Sequence, residues 1–152
     1  MSESGSACCV ILPCSSELLW VVPQRCLGEI VTVPTEVELP PDIIEWRGEL
    51  VPVVDFGVQD SAPWRDPRGG TGLVVVILGQ RDESCRFFAV AVRGSNLAVC
   101  KLAEEEIEDL PGLHSNYAAA AFRMNGNVYQ VPDLLALQRA LGSGVRPGQC
   151  AT

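Results

Sequence analysis

The run Glu45-Trp46-Arg47-Gly48-Glu49-Leu50-Val51-Pro52-Val53-Val54-Asp55-Phe56-Gly57 constrains this chain more than any other part of it. Valines 51, 53 and 54 together with Leu50 favour a pleated strand. Pro52 interrupts them, and a proline has no N–H to give a ladder, so it marks an edge or a bulge. Gly48 permits a turn or a close backbone approach that other residues resist. Arg47 then stands where a strand enters from a turn, with its guanidinium free to fix something. No catalytic signature accompanies it. The run reads as a structural corner carrying one unusual charge.

At 152 residues the chain suits one domain, or two small lobes sharing a core. Nearly half of it is apolar and only 20% is charged, so a sizeable core can form. The formal charge of −8 argues against a nucleic-acid partner, because phosphate binding needs clustered Lys and Arg. No apolar run reaches the ~18–20 residues that a membrane span requires. The opening Met-Ser-Glu-Ser-Gly-Ser lacks the positive start of a signal peptide, and a cytoplasmic protein is expected. Seven cysteines are an odd number, several of them in apolar runs (Cys8, Cys9, Cys26, Cys100), and they read as free, buried thiols.

Hydrophobic patterning is mostly β. Strands are expected over 7–12, 18–22, 26–33, 50–55, 73–78, 87–92, 97–102, 118–124 and 128–131. Pro40-Pro41-Asp42 starts a turn, with Ile43 and Ile44 in a single helical turn. Asn125-Gly126 is a strong hairpin signal. Pro132 suits the first position of a helix whose apolar face holds Leu134, Leu135, Leu137 and Leu141, with Gly142 as its cap. Residues 1–6 and 142–152 are expected to be flexible ends. Residues 57–72, rich in Gly, Pro and Asp, form a loop and the expected boundary between two successive five-stranded groups. Small barrels would close such groups while leaving few edges.

Catalytic patterns are missing. His114 is the single histidine, and no local feature ties it to a nucleophilic cysteine. No C-x-x-C spacing suits zinc. The glycines of Arg68-Gly69-Gly70-Thr71-Gly72 lead into a strand with no lysine after them, unlike a phosphate loop. Neither a metal nor a small-molecule cofactor is expected, and an enzyme is not favoured.

Three groups of residues carry a resemblance. They are Leu27-Gly28-Glu29-Ile30, Leu39-Pro40-Pro41, and the Arg47-Gly48…Pro52…Asp55-Phe56 run; the apolar strand 73–78 with Gly79-Gln80-Arg81 and the acidic stretch before Pro111 extend it. Over residues 7–141 the order of these features resembles the CheW-like domain, the adaptor module of bacterial chemosensory arrays. The resemblance implies a mainly β fold of two five-stranded SH3-like β-barrel lobes sharing a hydrophobic core, with a C-terminal α-helix. It implies a non-enzymatic adaptor that binds the regulatory domain of a CheA-type histidine kinase and the cytoplasmic tip of a chemoreceptor.

Leu27, Glu29, Arg47, Gly48, Val51 and Val53 are the partner-binding candidates. Glu29 falls at the family's glutamate and Arg47 at its arginine. On an alternating strand, Glu29 would share a face with Leu27, Val31 and Val33, where a carboxylate needs a cationic partner. The planar fork of Arg47 could hold it bidentately. The pair would shape a groove for a receptor helix, or serve only as a structural salt bridge. Three departures stand out, one of them a stretch between Ile30 and Arg47 that is shorter than the family's common pattern. Arg93 occupies a position where the family usually has Asp, inverting a charge expected on the surface of the second lobe. Trp46 replaces a commonly aliphatic residue. They point to a divergent adaptor, such as one in an accessory array controlling type IV pilus motility. The alternative is an SH3-like barrel that binds a small molecule or peptide outside any array.

Overall fold

The computed structural model describes residues 6–15, 18–57, 63–93, 97–103, 107–112 and 117–144. His114, the Glu104–Glu106 run and most of both expected flexible ends lie outside them. Eleven strands and one α-helix follow in order: β1 Ser6–Pro13, β2 Leu19–Pro23, β3 Leu27–Pro34, β4 Ile43–Trp46, β5 Glu49–Val54, β6 Thr71–Leu78, β7 Phe87–Val92, β8 Ala98–Ala103, β9 Glu108–Asp109, β10 Ala118–Met124, β11 Asn127–Pro132 and α1 Leu134–Gly142. They make two curled sheets. One has six strands in the order β8-β1-β2-β11-β10-β9, the other five in the order β3-β6-β7-β5-β4.

The lobes are therefore not successive. Residues 27–92 supply the whole five-stranded lobe, and the two ends of the chain meet to build the other. They meet where β8 pairs antiparallel with β1 and where β11 makes a parallel contact with β2, Gln130 opposite Trp20. The loop expected to divide the lobes lies inside the five-stranded one, between β5 and β6.

Alternation along the strands sorts the core into three layers. Val10, Leu12, Trp20 and Val22 of one sheet meet Val75, Ile77, Phe88, Val90 and Val92 of the other, with Leu137 of α1 among them. That is the shared core. The intervening residues point the other way, each into its own lobe. Val74, Val76, Ala89 and Ala91 pack with Val51, Val53, Trp46 and Trp64. Cys9 and Val21 pack with Phe122, Met124 and Tyr129. Both faces of β6 and β7 are thus buried, which explains the continuous apolar run of β6. Each fully buried aliphatic side chain contributes about 1.5–3 kcal/mol.

Local expectations fared unevenly. Asn125 and Gly126 both take positive φ between Met124 and its partner Asn127, a tight two-residue hairpin. Ile43 and Ile44 belong to strand β4, not to a helical turn, because they pair with Pro52 and Val51. Pro52 is not on an edge, since β5 lies between β4 and β7. Val53 donates its N–H to Asp42 O on the β4 side at 2.8 Å. Amides alternate along a strand, so the nitrogen of Pro52 faces the β7 side, where pairing starts only at Val53 opposite Ala89. Pro132 closes β11 rather than opening the helix. The helix cap is Asp133, whose Oδ1 accepts from Ala136 N at 3.0 Å. Gly142 is the last helical residue and Ser143 the C-cap.

Arg93 is the largest correction. It is not a surface charge: it is 5% exposed and grips Asp55, itself 4% exposed. Nη1 reaches Oδ1, and Nη2 donates to Oδ2 at 3.0 Å. The Asp that ends the Arg-Gly…Pro…Asp run thus finds its counter-charge at the end of β7. Burial makes the pair obligatory, because either ion alone would be uncompensated there.

Candidate functional site

The site grows from an irregularity in β3. Its register with β6 shifts between Leu27 and Glu29, so Leu27 opposes Ile77 while Glu29 opposes the adjacent Val76. Gly28 is the extra residue of this bulge. A Cβ there would lie 2.9 Å from Leu78 Cδ2 and 3.2 Å from the ring of Trp46, so a larger residue would have to displace the Leu78 side chain and crowd the indole. The bulge separates two residues that simple alternation would place together. Leu27 turns into the shared core. Glu29 turns to the face where Val31 and Val33 pack against the interior of their own lobe.

Glu29 sits at the rim of that interior, its side chain 49% exposed. Its expected bidentate grip by Arg47 does not form. Glu29 Oε1 accepts instead from the indole N–H of Trp46, Nε1 at 2.8 Å. Arg47 Nη2 stands 3.7 Å from the same oxygen, too long for a hydrogen bond. An exposed ion contact of that length contributes little to stability. The guanidinium is carried by Trp46: Arg47 Cζ lies 4.5 Å from the ring centroid, a cation–π arrangement. Trp46 is buried and packs edge-on against Phe87 at 5.3 Å. One indole therefore fixes both charges, the carboxylate by its N–H and the guanidinium by its face.

Hairpin geometry presents the arginine outward. Arg47 and Gly48 have φ of +51° and +80° between the paired residues Trp46 and Glu49, so both central positions are left-handed. For Arg47 that conformation costs about 1 kcal/mol. Gly48 has open space around its Cβ position, so it is required for conformation alone. Gly48→Ala should lower stability by about 1 kcal/mol in urea unfolding without changing the sheet, as seen by circular dichroism. An unchanged urea midpoint would show that this φ carries no cost.

Behind the tip, the hairpin shows two faces. Val51 and Val53 are inside, 0% and 2% exposed, and cannot meet a partner. The other face carries Leu50, 74% exposed, and Ile43, 53% exposed, with Pro52 paired to Ile43. Glu45, opposite Leu50, lies on the same face. Sequence reading chose the wrong parity of this strand. Period two separates Leu50 and Pro52 from Val51 and Val53, but does not say which set faces water. Trp46 was noticed only as a departure, and its linking role was missed.

A separate cleft of about 540 Å³ is lined by Thr32, Trp64, Arg65, Asp66, Leu73 and Val92, among others. Three of its polar side chains are already bonded within the five-stranded lobe. Arg65 Nε donates to Thr35 O, Asp66 Oδ1 accepts from Arg68 N, and Trp64 Nε1 donates to Leu73 O. Among the described residues no cluster of His, Cys, Asp and Glu could hold a metal, and no helix is long and apolar enough to cross a membrane.

Two curled sheets on one shared core, with an apolar strand face beside a charged hairpin tip, define a two-lobed β scaffold. The CheW-like domain model matches residues 9–141, and the chain belongs to that family. Among solved structures the fold is similar to the scaffolding protein TtCheW from Thermoanaerobacter tengcongensis, with a TM-score of 0.59 at 14% identity, covering 86% of this chain and 91% of that one. A search of curated proteins finds no match to this sequence.

Proposed function

We propose that this protein is a non-enzymatic chemosensory adaptor, coupling the cytoplasmic tip of a chemoreceptor to the regulatory domain of a CheA-type histidine kinase. Family membership supports the general role. The observation that carries the docking reading is the outward face of the β4–β5 hairpin. Ile43 and Leu50 are large apolar side chains left in water beside a strained arginine. Such a pairing favours protein contact, because the apolar residues gain by burial and the arginine supplies an oriented, always charged anchor. The rim is acidic, with Asp42, Glu45 and Glu49 all exposed, so the favoured partner surface is apolar at its centre and basic at its edge.

The test is a binding titration of the full chain against each proposed partner. Wild type should bind at micromolar strength. Leu50→Glu places a charge in the buried centre of the contact and should weaken binding at least about tenfold. Its unfolding free energy should move by no more than about 0.5 kcal/mol, as for other exposed positions. Arg47→Ala should weaken the same complex with the fold intact. A wild type that binds neither the kinase domain nor the receptor tip overturns the adaptor reading. Unchanged binding by Leu50→Glu removes the hairpin face from it. The small-molecule alternative has less support, since Trp64, Arg65 and Asp66 of the 540 Å³ cleft already make hydrogen bonds within the lobe.

A further inference from the structure

The shared core is closed by polar contacts at both ends of the β6–β7 ribbon. At the Val92 end, the Arg93 N–H donates to Pro13 O at 2.8 Å, and Nη1 approaches Cys14 O at 3.5 Å. Pro13 ends a strand of the six-stranded sheet, so Arg93 joins that sheet to Asp55 of the other lobe. Asp55 Oδ1 also accepts from Gly57 N at 2.9 Å. At the opposite end stands Gln138 of α1, 1% exposed. Its Nε2 donates to Gln80 O at 2.8 Å and to Cys85 O at 2.6 Å, and its Oε1 accepts from Gln80 N at 2.9 Å. Gly79 is required there, because any Cβ would collide with the Gln138 amide. Arg139 adds an ion pair to Glu83 at 3.1 Å. Cys85 and Arg93 lie roughly 25 Å apart along β7 at a strand's rise per residue.

The geometry points to a pair of locks that hold the two lobes as one rigid body, so that a load on the β4–β5 face reaches the other lobe without rotation between lobes. The first lock joins buried charges across the shared core, and the second sets the buried Gln138 amide against backbone groups of the more exposed β6–β7 turn. Opening the first would strand a charge and opening the second the Gln138 amide, costs that a hinge between lobes would have to meet.

Cys14 reports on the seam. It is fully buried beside Arg93, and its thiol is pushed well above the ordinary range, first by burial and then by the Asp55 carboxylate. The thiolate is the reactive form, so labelling requires the seam to open. The experiment is native-state labelling of the full chain with a small thiol reagent, Cys14 being followed by peptide mass mapping, alongside amide exchange at Gln80. In wild type the opening constant for Cys14 should equal that of global unfolding from urea titration, within a factor of about three. In Gln138→Leu, Gln80 exchange should rise about tenfold or more beyond the global change, while Cys14 labelling still follows global unfolding alone. Wild-type labelling about a hundredfold faster than global unfolding allows would show lobes that hinge, and would overturn the lock. So would Cys14 exposure in Gln138→Leu that outruns its loss of global stability. The wild-type comparison decides the matter even if that variant does not fold.

Discussion

Arg93→Ala is expected to lose about 3–5 kcal/mol of folding free energy, the cost of stranding one member of a buried ion pair. A domain of this size holds only about 5–15 kcal/mol, so the variant should be close to unfolding at room temperature. The Asp55 carboxylate would stay buried, with the neutral Gly57 N–H as a donor but no counter-charge from Arg93. The Cys14 carbonyl would lose the guanidinium at the seam. Asp55→Ala should cost as much, because it strands the guanidinium instead. The double variant Asp55→Leu, Arg93→Met should be more stable than either single variant, since no charge is then left in the core. Urea unfolding followed by circular dichroism measures all three. A loss below about 1 kcal/mol for Arg93→Ala would mean that water reaches the seam and that the pair is not a buried one.

That pair also shows where sequence reading stops. Val92-Arg93-Gly94 looks like a strand running into an exposed turn, and a charged residue there is ordinarily solvated. Its burial depends on Asp55, 38 residues earlier, and on Pro13 and Cys14 in the first strand. None of these contacts leaves a periodic trace. Strand positions were legible because alternation and turn residues are local, and Asn125-Gly126 and the apolar 73–78 run behaved as their chemistry dictates. Sheet order was not legible. Pairing of β2 with β11 joins residues from opposite ends of the chain, and an even division near 57–72 was the simplest guess that local patterns allow. The candidate site lay between these cases. Glu29, Arg47 and Gly48 do meet at one corner, but charge matching alone predicted the wrong bond. The bulge at Gly28 brings the carboxylate to an indole N–H, and the arginine stacks above the ring.

Trp46→Ala should therefore damage the fold and the site together. The side chain is buried in the lobe interior against Phe87, and deleting a buried aromatic costs about 3–5 kcal/mol. Arg47 would lose the ring that carries its guanidinium, and Glu29 its hydrogen-bond donor. Partner binding should fall further than the fraction of unfolded protein explains. Trp46→Phe separates the two effects. It keeps most of the apolar contact and a ring face, but removes the N–H, so the half-exposed Glu29 turns to water for about 1 kcal/mol. In this variant binding should weaken while the sheet persists. Urea titration and the binding titration, run on both variants with Arg47→Ala beside them, distinguish packing from presentation. If Trp46→Phe binds like wild type while Arg47→Ala does not, the indole N–H has no part in presenting the arginine, and the stacked ring alone holds it. If instead Trp46→Ala, once corrected for folding, and Arg47→Ala both bind like wild type, the corner is only structural, and the docking surface must be sought on the Ile43 and Leu50 face alone.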